Sequence, residues 1–204
     1  MSGRKQFDED QVLDAAMLAF WRSGYEATSV ADLEAATGLS KSSLYNAFGN
    51  KDDVFLRCLE RFSELYGHDL VTELDQDDFH SAIRAFFDRL IARFANRRLP
   101  NGCLATMAAL EVGRRQGLAA KHVRKGLDSM RAVFESRCAR AVRDGQLPRD
   151  TDCFALSTTM LALTRGIAVL NRGHPDAHLL TAAVDGFLAS LRGLSDSAAS
   201  AGRR

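Results

Sequence analysis

Apolar residues recur along the chain at spacings of three and four, and a glycine, a proline or a capping side chain closes most of the runs. That period gives successive helices one apolar stripe each. Val12, Ala16, Ala19 and Phe20 make the first stripe, with Asp8 placed as N-cap, Gln11 as its capping-box partner and Gly24 as the stop. Val30, Leu33 and Ala36 share the face of a second helix, which Gly38 ends because glycine tolerates the positive φ of a sharp helix terminus. Leu39 plugs the corner that follows. Ser40 is a natural N-cap for a short third helix, whose Leu44, Ala47 and Phe48 pack inward while Lys41, Ser42, Ser43, Tyr45 and Asn46 remain outside. A fourth helix begins near Asn50.

Farther along, Asp77 to Phe94 carries an aromatic-rich stripe of Phe79, Ile83, Phe86, Phe87, Leu90, Ile91 and Phe94, and Leu99-Pro100-Asn101-Gly102 breaks it. A compact segment from Cys103 to Val112 follows, then a long helix from about Leu118 to Arg143. Two more helices are expected over Cys153 to about Leu170 and His178 to Leu194. Arg165 is the one charge between Phe154 and Leu170, and Asp185 the one between Leu179 and Leu191. Helices apolar on most sides need cover on most sides. A second copy supplies it most simply, through a four-helix interface using Phe154, Leu161, Ile167, Val184, Phe187 and Leu191; burial within one chain is the alternative. Ser195 to Arg204, rich in serine, alanine and glycine, is expected to be a disordered tail.

Composition fits this pattern. The chain has 204 residues, 46% of them hydrophobic, with three prolines, enough for one substantial core or a small head on a larger body, in an all-α class. No run approaches the roughly 20 apolar residues of a membrane span. Met1-Ser2-Gly3-Arg4-Lys5-Gln6 lacks the apolar centre of a signal peptide. The expectation is a cytoplasmic protein without membrane contact. Four cysteines, at 58, 103, 138 and 153, form no paired motif, and the five histidines lack ligand spacing, so neither disulfides nor a metal is expected.

Thr28 to Lys51 is helix, glycine turn, short helix and capped new helix, the order of a helix-turn-helix DNA reader; an ordinary αα-corner has similar spacing. Lys41 is placed to reach a phosphate or a guanine edge, and Ser42, Ser43 and Asn46 to hydrogen-bond bases or backbone. Thr28 and Ser29 would cap the first helix of the motif, where amide hydrogens can hold a phosphate. Charge is less obliging, because residues 1–66 hold seven basic and eleven acidic side chains, a net of −4. The cations are placed selectively: Ala36 to Lys51 contains two lysines and no acid, and Arg4 and Lys5 lie on an arm before the first helix. Acids gather instead at the starts of helices one and four, where the dipole favours them. A moderate salt dependence follows, from a few phosphate contacts per half-site. An enzyme is disfavoured, since no Gly-rich phosphate loop, metal cluster or Ser/His/Asp grouping stands out. A helical adaptor that binds only protein would explain the apolar last helices but not Lys41, Tyr45 and Lys51 at helix starts.

Over roughly residues 7 to 60 the chain resembles the TetR family of bacterial transcriptional regulators. The resemblance rests on Val12-Leu-Asp-Ala-Ala16, Phe20, Gly24-Tyr-Glu-Ala-Thr-Ser-Val30, Asp32-Leu33, Ala36-Thr-Gly-Leu-Ser-Lys-Ser-Ser-Leu-Tyr45 and Phe48-Gly-Asn-Lys-Asp-Asp-Val-Phe55. It implies about nine helices, divided as a helix-turn-helix domain over 1–50, an effector-binding and dimerisation body over 51–194, and a tail over 195–204. It implies a homodimer on a pseudo-palindromic double-stranded DNA operator, acting mostly in repression, with no cofactor. Tyr45 matches the family's aromatic at a phosphate contact, and Lys51 its backbone-anchoring lysine. The body would hold a pocket for a small organic effector, with Phe86, Phe87, Leu90, Met107, Leu110, Phe134 and Met160 as candidate lining. Cys103 joins that set, because Pro100-Asn-Gly-Cys-Leu104 resembles a segment in members that sense oxidants or electrophiles, and a helix start lowers a thiol's pKa.

Overall fold

A computed structural model of the chain describes residues 7–201, with side chains described through Gly193. Arg4 and Lys5 of the expected arm lie outside the described residues, as do Gly202, Arg203 and Arg204. Ten α-helices and one 3₁₀ turn make up the regular structure among the described residues, with no strand. The addition to the sequence expectation is a five-residue helix over His68–Thr72. The chain divides by packing into two units: the first is the chain through Tyr66 with Cys103–Lys125, and the second is Gly67–Gly102 with Gly126–Arg204. This division does not fall at residue 50.

The first unit contains α1 (Glu9–Ser23), α2 (Val30–Thr37), α3 (Lys41–Phe48), α4 (Lys51–Tyr66), α7 (Leu104–Glu111) and the start of α8 (Leu118–Arg143). Local signals set its helix ends. Asp8 accepts from the N–H groups of Asp10 and Gln11. Ser29 and Asp32 form a reciprocal capping box on α2, and the Ser40 hydroxyl accepts from Ser43 N–H on α3. Gly38 sits at φ +70° and Gly24 at φ +90°. Asn50 caps α4 by accepting from Asp52 and Asp53 N–H at 2.8 and 3.2 Å.

α1 buries Val12, Leu13, Ala16, Met17, Phe20 and Trp21, a face wider than the expected stripe, and it lies on α2, α4 and α7. Phe20 meets Phe55 of α4 edge-on at 4.8 Å, and Trp21 meets Phe62 at 5.1 Å. Each such ring contributes about 2–3 kcal/mol through burial. Arg61 of α4 fastens α1 from outside through Asp14 at 2.9 Å and Asp10 at 3.1 Å. In α2 only Leu33 is fully buried; Ala36, expected inside, is exposed because an eight-residue helix has one turn against its neighbours.

The second unit contains α5 (His68–Thr72) and its 3₁₀ continuation Glu73–Asp75, α6 (Phe79–Phe94), the rest of α8, α9 (Cys153–Gly173) and α10 (Ala177–Ala201). α6 is its centre. Phe79, Ile83, Phe86, Phe87, Leu90 and Phe94 are buried as the periodicity predicts, while Ile91 is half-buried. Phe86 packs edge-on against Phe134 of α8 at 4.9 Å, and Arg84 pairs with Asp185 of α10 at 2.6 Å. Arg93 reaches Asp69 at 2.6 Å, which ties α5 to α6. Buried Arg137 donates to the carbonyls of Gln76 and Asp77 at 3.1 Å, and burial pushes its pKa down. α10 runs seven residues past the expected end at Leu194, so Ser195–Ala201 is helical backbone, not an unstructured tail.

Three further expectations change. α9 has 21 residues, and its most apolar 18-residue stretch has a mean hydropathy of 1.6, so it is long and apolar enough to cross a membrane by length and composition alone. The expectation that no run approaches a span is corrected to that extent; the helix also carries Ser157, Thr164, Arg165 and Asn171 and packs on α6 and α10. Among the interface candidates, Ile167, Val184 and Leu191 are buried against their own chain, whereas Phe154 is 57% exposed and Leu161 and Phe187 are half-buried. Among the pocket candidates, Phe86, Phe87, Leu90, Phe134 and Met160 fill the core of the second unit. Cys103, Met107 and Leu110 belong to the first unit, and Leu110 is 75% exposed, which removes it from any closed lining.

Candidate nucleic-acid interface

α3 owes its presentation to its two ends. Leu44 and Phe48, four residues apart, anchor it against the core, so Lys41, Ser42, Ser43 and Asn46 are turned to solvent and Tyr45 is half-buried. Its N-terminus carries a hydroxyl cluster: the Ser40 Oγ lies 3.0 Å from both the Ser42 and the Ser43 hydroxyls. Lys41 Nζ sits 5.9 Å from the centre of the Tyr45 ring, one turn along the same helix. A cation, three hydroxyls, an amide and a phenol therefore lie on one short exposed helix. This surface offers hydrogen bonds to base edges and phosphate oxygens without an acidic side chain of its own.

An acid nevertheless arrives from α2. Glu34 accepts from the Lys41 backbone N–H at 2.6 Å, so a carboxylate sits where the dipole of α3 would favour an anion. The sequence interval from Ala36 to Lys51 concealed this, because Glu34 lies just before it. The start of α2 is likewise occupied by Asp32, whose pKa is lowered first by the Ser29 side-chain bond and then by the Ser29 backbone bond. The Ser29 hydroxyl is thus engaged in its capping box. Thr28 is further from expectation: it is buried and donates its hydroxyl to the Gly24 carbonyl at 2.6 Å, so it braces the turn and does not cap α2.

Lys51 opens α4 with its ammonium 4.5 Å from the centre of the Tyr25 ring, a cation–π seat. The guanidinium of Arg115 lies 5.3 Å from the same ring, and the Tyr25 hydroxyl donates to Asp52. Burial first, and then the Asp52 carboxylate, pushes the Tyr25 pKa up to about 12. Sequence inspection missed Tyr25, Glu34, Asp52, Glu111 and Arg115. Gly24-Tyr25 had signalled only a helix stop, and Glu111 and Arg115 lie too far along the chain for any local pattern to join them. The segment Cys103–Lys125 also brings five basic side chains and one acidic one, which offsets the −4 of residues 1–66.

Cys103 is the N-cap residue of α7, half-buried, with no side-chain capping bond. Cys58 and Cys138 are buried thiols whose pKa values are raised, chiefly by burial. Among the described residues no group of three or more His, Cys, Asp or Glu side chains is arranged to hold a metal.

Comparison with known proteins agrees with this geometry. Residues 12–58, which span α1 to the first half of α4, match the family described as bacterial regulatory proteins, tetR family. Residues 80–187 match the tetracyclin repressor-like C-terminal domain. The chain is 30% identical over 172 residues to the HTH-type transcriptional repressor ComR of Escherichia coli, covering 82% of this chain and 81% of that protein. It is 25% identical over 167 residues to the HTH-type transcriptional regulator TtgR of Pseudomonas putida, covering 77% of this chain and 76% of that one. Among solved structures it superposes with a TM-score of 0.84 and 28% identity on a cysteine mutant of the TetR family transcriptional regulator CifR complexed with 26-base-pair double-strand operator DNA. That superposition covers 91% of this chain and 97% of the other. A capped helix-turn-helix, an α3 whose own residues carry no acid, and matches along both units agree: the chain belongs to the TetR family of bacterial transcriptional regulators.

Proposed function

We propose that the protein is a dimeric, cytoplasmic transcriptional repressor that reads a pseudo-palindromic operator with α3. The carrying observation is the exposed Lys41-Ser42-Ser43-Asn46 face of α3, held out by buried Leu44 and Phe48. The relative solved with operator DNA supports it. In this proposal Lys41 and Lys51 meet phosphates, Tyr45 donates its phenol to the backbone, and Ser42, Ser43 and Asn46 reach base edges. Ser29 contributes through the backbone of its cap, and Thr28 only by holding the turn. Two heads on one dimer read half-sites separated by one helical turn, roughly 34–36 Å, or a multiple of it. The test is a gel shift with the DNA upstream of the protein's own gene at two salt concentrations, where a sequence-selective, salt-sensitive complex is expected. A protein-binding adaptor would give none.

The dimer is proposed through α9 and α10. Support comes from their exposed uncharged residues, Ala155, Thr158, Thr159, Ala162, Gly166 and Val169 on one helix and Ala182, Gly186 and Ala189 on the other. Phe154, Leu161 and Phe187 add apolar surface at its edge. An apolar organic effector is proposed to relieve repression by favouring a dimer with wrongly spaced heads, and it shifts binding only by its differential affinity for the two states. Phe86 packs on Phe87 and Phe134, and Met160 is fully buried, so such a ligand enters the second unit by displacing core side chains. Modification of Cys103 by an electrophile is the other proposed release signal. Replacing Cys103 by serine and measuring release by an electrophile tests it, and unchanged release removes it.

A further inference from the structure

The turn from Gly24 to Thr28 delivers the chain into α2, and it is held from a distant part of the sequence. Glu111, the last residue of α7, lies 86 positions from Tyr25 along the chain. One oxygen of its carboxylate accepts from Tyr25 N–H at 2.5 Å and from Glu26 N–H at 3.1 Å. Both donors lie in the turn after α1, beyond its closing bond from Gly24 N–H to the Phe20 carbonyl. Gly24, at φ +90°, makes the approach possible, because a Cβ there would collide with the Glu111 carboxylate. Arg115 pairs with Glu26 of the same turn and lies over the Tyr25 ring. That ring seats the Lys51 ammonium, and its hydroxyl holds Asp52. Tyr25, Asn50, Asp52, Arg115, Gln116 and the first residues of α8 also line a cleft of about 190 Å³. The ring is also buried against Phe20 and Phe55, at 6.2 and 4.9 Å between centres, so the polar contacts act on an aromatic seat that is already packed.

We propose that Glu111 and Arg115 are positioning residues of the DNA-reading head. They fix the Gly24–Thr28 turn and the Tyr25 ring, and through these the start of α2, without touching nucleic acid. The inference rests on the DNA-reading function proposed above. Charge-assisted bonds from a carboxylate to two backbone donors are stronger than neutral ones, which suits Glu111 to hold a turn at a half-buried site. A positioning residue and a contact residue differ in salt response: losing a phosphate contact reduces the salt slope by about 1, whereas losing a positioning contact weakens binding at an unchanged slope.

The test titrates the full-length wild type and the variants Glu111→Ala, Glu111→Gln, Arg115→Ala and Lys51→Ala against labelled upstream DNA over a range of salt. Amide exchange at Tyr25 and Glu26 is followed in the same proteins. For Glu111→Ala we expect at least a tenfold loss of affinity at the wild-type slope and at least tenfold faster exchange at both amides. Glu111→Gln retains an acceptor oxygen and should stay within threefold of the wild type, and Lys51→Ala should lower the slope. Glu111→Ala binding within twofold of the wild type, or lowering the slope as Lys51→Ala does, overturns the proposal. Arg115→Ala, an exposed change, carries the test if Glu111→Ala does not fold: at least a threefold loss at unchanged slope supports it, and unchanged affinity overturns it. If the wild type forms no salt-dependent complex, the DNA-reading function itself fails. Exchange then decides the clamp separately, and unchanged protection of Tyr25 and Glu26 in Glu111→Ala overturns it.

Discussion

The exposed face of α3 and the exposed faces of α9 and α10 are surfaces of opposite chemistry. On α3 the outward positions are Lys41, Ser42, Ser43 and Asn46, each a hydrogen-bond donor. On α9 and α10 they are mainly alanine, glycine, threonine and valine, with Val169 49% exposed and Phe154 57% exposed. The first surface loses little by facing water and gains most against a polyanion. The second gains by leaving water, at about 25 cal/mol for each Å² of apolar surface covered. In the proposed function each surface meets a partner, and the two partners differ in kind. A strong reader head alone would therefore be a weak repressor, since a few phosphate contacts must be doubled by dimerisation.

The comparison breaks most readily on the apolar side. Gly166 lies on the exposed face of α9 with open space where a Cβ would stand, so Gly166→Glu should leave the single chain folded. In a dimer it buries an unpaired charge, which costs about 3–5 kcal/mol. Sedimentation should show monomer at micromolar concentration, and operator affinity should fall at least a hundredfold. A Gly166→Glu dimer with native affinity would move the interface elsewhere.

On the polar side, Lys41→Ala and Lys51→Ala should each weaken operator binding about tenfold and reduce the salt slope by about 1. Anisotropy titrations across salt measure both quantities, and sedimentation should show an unchanged dimer. A smaller effect of opposite sign is expected at Glu34, whose carboxylate occupies the start of α3. Glu34→Gln should tighten DNA binding about threefold, since a helix-terminal charge contributes roughly 0.3–1 kcal/mol. Weaker binding would assign Glu34 a positive role in presenting α3.

The smallest effect concerns Tyr25. Its pKa is raised to about 12 in the folded protein, so folding favours the neutral phenol. That contribution is fully present below the ordinary phenol value near 10 and is lost as pH rises from there through 12. Thermal melts of wild type and Tyr25→Phe should run parallel from pH 7 to 9. The wild type should then lose stability faster than the variant above pH 10, and parallel curves throughout would contradict the assignment.

Sequence legibility followed the range of the interactions. Asp8, Ser29, Ser40, Gly24 and Gly38 were readable because a cap or a left-handed turn is decided within four residues. The aromatic stripe of α6 was readable because sixteen residues repeat one face. Thr28 was misassigned because a hydroxyl before a helix resembles a cap, yet this one bonds back to Gly24. Ile167, Val184 and Leu191 were misplaced for a different reason. A helix apolar on two sides has a period but no mark telling which side meets its own chain. The contact of Glu111 with Tyr25 and Glu26 had no local signal at all, because only folding brings these positions together.

The central claim is that one dimer presents two α3 faces to one operator, and hydroxyl-radical footprinting of the upstream DNA tests it most directly. The account predicts two protected segments related by a dyad, their centres separated by one turn of roughly 34–36 Å or a multiple of it, with both fading together in Lys51→Ala. Uniform cleavage at every protein concentration, or a single protected segment without a symmetric partner, would contradict it.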